Sequence, residues 1–136
     1  MMLDAKDKQS LSDLRMAKAR EFLDDARGTL KDGRHRTAIN RSYYATLAAV
    51  RSVLILEGAN PETHEDAVTL LSLRPVRPGL LPPEAIKQFK VLQSRRTDVD
   101  YGDFDTVEAK EAQDAFQIAT SLIDVIEKAR QTLLAS

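Results

Sequence analysis

A chain of 136 residues, 43% hydrophobic and 30% charged, is long enough to bury the core of one domain and too short for two. Its formal charge of -1 supplies no overall basic field for nucleic acid, so an anionic ligand has to meet a local patch. The absence of cysteine excludes a disulfide scaffold and a thiolate zinc site, and two isolated histidines make no metal cluster, so neither metal nor cofactor is expected. The N-terminal Met-Met-Leu-Asp-Ala-Lys-Asp-Lys has no apolar run of signal-peptide length, and no stretch approaches the roughly 20 apolar residues of a membrane span. The default expectation is a cytoplasmic protein without membrane contact.

Gly33, Gly58, Gly79 and Gly102 each fall at the end of a segment with helical periodicity, which divides the chain into five helices. The first is expected from about Leu11 to Leu30, with Leu11, Leu14, Ala19, Phe22, Leu23, Ala26 and Leu30 forming most of an apolar stripe. The second, about Arg36 to Glu57, sets Ile39, Tyr43, Leu47, Val50 and Leu54 beside a row of small residues that lets another helix approach closely. Its C-terminal half is apolar nearly all round, the mark of a buried central helix. A turn at Gly58-Ala59-Asn60-Pro61 leads to Thr63, whose hydroxyl caps a short third helix with Asp66 three residues on. Arg74-Pro75-Val76-Arg77-Pro78-Gly79 reads as a bent, non-helical connector. The fourth helix opens at Pro82-Pro83-Glu84 and ends at Gly102, and the last starts at Asp105 and Glu108 in a capping-box arrangement. No sustained period-two strand, repeat or low-complexity tract interrupts this pattern. The expected fold is all-α, an antiparallel four-helix up-and-down bundle with one additional short helix, forming a single domain over 1–136 with its core at about 10–133.

Candidate chemistry is concentrated on the second and fourth helices, where polar groups interrupt positions that a bundle fills with Leu, Ala and Ile. Arg41 and Tyr44 are i, i+3 and Asn40 and Tyr44 are i, i+4, so the three share one side of a helix. Arg96 and Asp100 are likewise i, i+4, with Arg95 and Tyr101 beside them. If the two helices pack antiparallel in register, arginines converge on a cleft, and the planar guanidinium fork suits carboxylate or phosphate. Asn40, Arg41, Tyr44, Arg95, Arg96 and Tyr101 are therefore the candidate nucleotide- or RNA-binding residues. Salt bridges within the bundle, such as Arg41 with Asp98, Asp100 or Asp103, would satisfy the same groups without any ligand. Of Tyr43 and Tyr44, about 100° apart on a helix, one faces the core and the other the groove. His35 reads as solvated surface, and His64 as either a helix-start residue or a member of the cleft.

Asn40-Arg41-Ser42-Tyr43-Tyr44-Ala45 in a second helix, Thr63-His64 after a glycine-containing turn, and Arg96-Thr97-Asp98-Val99-Asp100-Tyr101-Gly102-Asp103 ahead of a final helix together resemble the HEPN domain family. The nearest likeness is to its small stand-alone prokaryotic branch, often encoded beside a minimal nucleotidyltransferase. The resemblance extends from about Ser10 to Leu133. It implies the bundle already described, a homodimer, and a polar groove at or near the dimer interface. It implies either a metal-independent ribonuclease, acting as a toxin or defence effector, or a domain that only binds nucleotide or a partner protein.

The ribonuclease members carry Arg, four to six residues, then His. Here the residues five, six and seven before His35 are Leu30, Thr29 and Gly28, and before His64 they are Ala59, Gly58 and Glu57, so that motif is absent. Five residues on from Arg95 and Arg96 stand Asp100 and Tyr101, neither of which is a proton carrier of the imidazole kind. Three readings remain open. In the first, the chain is a nucleotide- or RNA-binding partner of a nucleotidyltransferase in a toxin-antitoxin or defence-type system. In the second, it is an endoribonuclease toxin in which Arg96 stabilises the phosphorane and His64 or Asp100 moves the proton. In the third, it is a structural interaction module whose groove is a salt-bridge network. In the family setting Tyr101 is also the phenol placed most like one that a partner transferase modifies.

Overall fold

The computed structural model describes residues 3–76, 79–102 and 107–136. Five α-helices follow one another: α1 (Ala5–Lys31), α2 (His35–Leu56), α3 (His64–Leu71), α4 (Glu84–Tyr101) and α5 (Ala109–Ala135). α1, α2, α4 and α5 form an antiparallel bundle, and α3 lies between the C-terminus of α2 and the start of α4.

Three features differ from the sequence-based expectation. α1 begins at Ala5 rather than Leu11, because the Asp4 carboxylate accepts the Asp7 amide at 2.7 Å and caps the extra turn. Its buried side is Ser12, Met16, Ala19, Leu23 and Ala26, spaced four and three residues apart like a coiled-coil seam, and Leu14 stands 66% exposed on the flank. The connector after α3 is not simply bent, since residues Ser72–Val76 form a turn of π-helix. Glu108 is the residue preceding α5 and makes no side-chain capping bond, and Asp105, the other member of the expected capping box, lies, like Asp103, outside the described residues.

α2 is the axis of the molecule and packs against α1, α3, α4 and α5. Small residues make this possible. Ala38, Ala45 and Ala49 of α2 and Ala112, Ala115 and Ala119 of α5 are buried, as are Ala19 and Ala26 of α1. The buried hydroxyls of α2 are satisfied by its own backbone: Ser42 donates to the Ala38 carbonyl at 2.7 Å, Thr46 to Ser42 at 3.0 Å and Ser52 to Ala49 at 2.6 Å. They therefore place no demand on neighbouring helices.

At the end of the bundle where the C-termini of α2 and α5 meet the start of α1, Arg130 is buried. Its guanidinium donates to Glu127 at 2.6 and 3.0 Å, to Asp13 at 2.6 Å and to the Ser12 hydroxyl at 3.3 Å, and that hydroxyl donates to the Ser52 carbonyl at 2.7 Å. One cation thus ties α5 to α1, and through Ser12 to α2. At the opposite end Gly102 stops α4 with its amide on the Asp98 carbonyl at 2.9 Å, and a Cβ there would stand 2.4 Å from that oxygen. Glycine is the residue that fits.

Arg130→Ala is expected to lower unfolding free energy by about 2 kcal/mol, less than for a fully buried pair because Asp13 is half-exposed. Gly102→Ala is expected to cost on the order of 1 kcal/mol by displacing the last turn of α4. Urea denaturation followed by circular dichroism checks both, and wild-type midpoints in either variant would refute the corresponding account.

Candidate anion-binding site

The site begins with the tyrosine pair of α2. Tyr43 turns inward and is 2% exposed, and its ring stacks on Phe89 of α4 with centroids 6.1 Å apart and planes 8° from parallel. Tyr44, one position on, is half-buried and meets the Tyr43 ring edge-on at 5.1 Å. The core and groove roles expected for the pair are those observed. Thr63 accepts the Asp66 amide at 3.1 Å, which fixes the first turn of α3 and sets His64 above the same rings. The imidazole lies 4.7 Å from the Phe89 centroid, and its Nδ1 is 3.0 Å from the Tyr43 hydroxyl.

Arg96 of α4 completes the group. Its guanidinium carbon is 5.0 Å from the Tyr43 ring centre and 5.7 Å from that of Tyr44. Arg96 Nη1 meets Asp100 Oδ2 at 3.4 Å, and the Asn40 amide reaches the two oxygens of the same carboxylate at 3.3 and 3.2 Å. Asn40 from α2 and Arg96 from α4 therefore converge on one acid across the helix interface. The Arg96 Nε is buried and has no hydrogen-bond partner among the described residues.

These contacts shift proton affinities as well as fix positions. Burial pushes the Tyr43 phenol up to about 12 against the opposing pull of Arg96, so the hydroxyl keeps its proton. Desolvation lowers His64 below its ordinary value, Glu65 partly opposes this, and Arg96 and Lys90 add to it. The Tyr43 hydroxyl and His64 Nδ1 face one another, with the direction of the bond set by the imidazole tautomer, so the contact orients His64 without fixing it as donor or acceptor.

The structure brings Asn40, Tyr44, His64, Arg96 and Asp100 into this one group. Arg41 is a further step around α2, with its guanidinium 5.7 Å from the Phe22 ring, and it pairs with no carboxylate among the described residues. It lines an open depression with Arg36, Thr37, Asn40, Val99 and Asp100, which joins it to the edge of the group. Arg95 points the other way, to α5, where it pairs with Asp114 at 2.7 Å and meets the Glu111 carbonyl. Tyr101 is 75% exposed at the end of α4. Tyr43, Phe89 and Arg36 belong to the site although their sequence positions marked them as core or surface. Tyr43 is buried like a core residue yet spends its hydroxyl on His64. Arg36 donates to the Val99 carbonyl, one of the acceptors that the last turn of α4 leaves open. His35 is not solvated surface: it is half-buried, with Nδ1 3.2 Å from the Val107 carbonyl.

Chemically, the group offers guanidinium, amide, phenol and imidazole donors around one carboxylate. Among the described residues no set of three or more His, Asp or Glu side chains is arranged to hold a metal ion, and no helix is long and apolar enough to cross a membrane.

Comparison with known proteins agrees with this architecture. The chain is 30% identical over 122 residues to a UPF0332 protein of Thermotoga maritima, an alignment covering 90% of this chain and 92% of that one. The family model described as the HEPN domain matches residues 12–129, which include all of α2, α3 and α4 and therefore every residue of the group around Arg96. The chain belongs to the HEPN domain family.

Proposed function

We propose that the chain is a nucleotide- or RNA-binding HEPN module, the homodimeric partner of a nucleotidyltransferase in a toxin-antitoxin or defence-type system. The observation that carries the binding part is the convergence of Asn40 and Arg96 on Asp100, next to an open depression where Arg41 has no acidic partner among the described residues. A phosphate entering there meets Arg41 at the rim. The Arg96 Nε, without a partner among the described residues, is a further donor, and Tyr44 supplies a ring for a base to stack on. The homodimer and the transferase partner rest on the family likeness.

A second reading, a metal-independent endoribonuclease, is favoured by one observation. His64 and Arg96 are far apart in sequence but both contact Tyr43, so an arginine–histidine pair exists in space although the usual spacing is missing. The contact with Tyr43 argues against it, because it occupies His64 Nδ1 and leaves only Nε2 for proton transfer, and the family's Arg–His spacing is absent. We favour binding.

Three measurements separate these readings. Arg41→Ala and Arg96→Ala are each expected to weaken binding of single-stranded RNA about tenfold by fluorescence anisotropy, and Arg41→Ala to reduce the salt slope by about one. Affinity equal to wild type in both would sink the binding reading. Purified protein in EDTA is expected to leave total RNA intact, whereas cleavage that disappears in both Arg96→Ala and His64→Ala would install the ribonuclease. The third concerns pH. Because the folded His64 pKa lies below the unfolded value of 6.5, the unfolded chain binds the extra proton as pH falls through about 6.5. Stability from this residue is present above that range and is lost on acidification. His64→Gln is expected to flatten the decline in melting temperature between roughly pH 7 and 5, and an unchanged profile would show that His64 is not desolvated in solution.

A further inference from the structure

The outer face shared by α1 and α2 is not covered by any described part of the chain. Leu11, Leu14 and Phe22 of α1 and Leu47 of α2 line a furrow there, and Leu14 is 66% exposed. From Leu11 to Phe22 the α1 side runs about 16 Å, three turns of helix. Arg15, Lys18 and Arg51 stand along it, and the furrow has no acidic lining residue.

These cations have no carboxylate partner among the described residues. Arg15 donates to the Asn60 side chain at 3.0 Å and to the Arg51 carbonyl at 3.4 Å, both neutral acceptors, and the buried Arg51 Nε has no partner among the described residues. Lys18 lies against the Phe22 ring, at 5.8 Å. Two neighbouring guanidiniums and an ammonium around an aliphatic floor form a surface whose complement is apolar on one side and acidic on its flanks.

We propose that the α1–α2 furrow docks an acidic amphipathic helix of a partner protein, with its aliphatic stripe on Leu11, Leu14 and Leu47 and its carboxylates on Arg15, Lys18 and Arg51. A furrow between two antiparallel helices accepts a third helix of matching length. A second copy applying this same face by two-fold symmetry would set the three cations of each against those of the other, so charge favours a different molecule. The aliphatic floor also suits leucine side chains better than nucleobases. This inference does not rest on the nucleotide- or RNA-binding reading, since the furrow's aliphatic floor and its three cations stand outside the group around Arg96, which it meets at Tyr44 and, through the Arg41 guanidinium, at Phe22.

The test uses the full chain and two synthetic helical peptides with the same leucine stripe, one flanked by glutamates and one by lysines, observed by amide chemical-shift mapping and anisotropy. The glutamate peptide is expected to shift resonances of α1 and α2 along the furrow and to bind at least tenfold tighter than the lysine peptide. Leu14→Asp, at a solvent-exposed position that does not threaten folding, is expected to weaken it at least tenfold, and Arg51→Gln about threefold to tenfold. Equal affinity for the two peptides, no binding by the glutamate peptide, or indifference to Leu14→Asp would overturn the proposal. So would sedimentation showing that Leu14→Asp splits a dimer, since the furrow would then belong to a second copy, or competition by single-stranded RNA with shifts confined to the furrow, which would assign it to nucleic acid.

Discussion

Everything in this molecule depends on the ability of α2 to be surrounded. A helix packed on by four others must present side chains small enough for their backbones to approach, and its polar groups must ask nothing of them. The buried alanines of α2 meet the first condition, and the serine and threonine hydroxyls that return to its own carbonyls meet the second. Where α2 departs from this rule it does so at its N-terminal half, on the side facing α3 and α4, through Asn40, Tyr43 and Tyr44. That is where the polar chemistry lies.

The bundle carries two arginine systems of opposite character, Arg130 buried and Arg96 partly so. Around Arg130 the hydrogen bonds to Asp13 and Glu127 are as short as 2.6 Å, and the guanidinium is spent on closing α1 and α5 together. Around Arg96 the bonds to Asp100 are 3.4 Å from the arginine and 3.2 to 3.3 Å from Asn40, one nitrogen has no partner among the described residues, and two aromatic rings flank the guanidinium. The first arrangement is a completed clasp. The second is under-satisfied, and an under-satisfied buried donor carries a desolvation cost that a ligand relieves.

The number and order of the helices were legible because periodicity and glycine punctuation report directly on local geometry, as at Gly33 and Gly58, which both adopt positive φ. The face of α1 was less legible. Leucine at 11 and 14 outweighs serine at 12 in any hydrophobic count, yet Ser12 is buried because it joins Arg130 to Ser52, partners 118 and 40 residues away. Among site residues, the i, i+4 pairing of Arg96 with Asp100 could be read from the chain, because it is internal to one helix. That Arg95 turns to Asp114, or that Tyr43 rather than a carboxylate orients His64, depends on helix rotation, which only tertiary packing fixes.

Asp100 gives the site its internal logic. Its carboxylate stands where an incoming anion would make its own contacts with Asn40 and Arg96, and it holds both by bonds at the long end of the hydrogen-bond range. On the proposed binding reading, a phosphate, with more acceptor oxygens than a carboxylate, would compete with Asp100 for these donors and engage Arg41 as well. In the structure the acid keeps Arg96 paired and Asn40 aimed, which on that reading would lower the cost of ordering them for a ligand. The Tyr43 hydroxyl likewise orients His64. On the same reading, an internal carboxylate pre-orients the donors of an external anion, and selectivity would come from the difference between one acid group and several phosphate oxygens rather than from the net charge of -1.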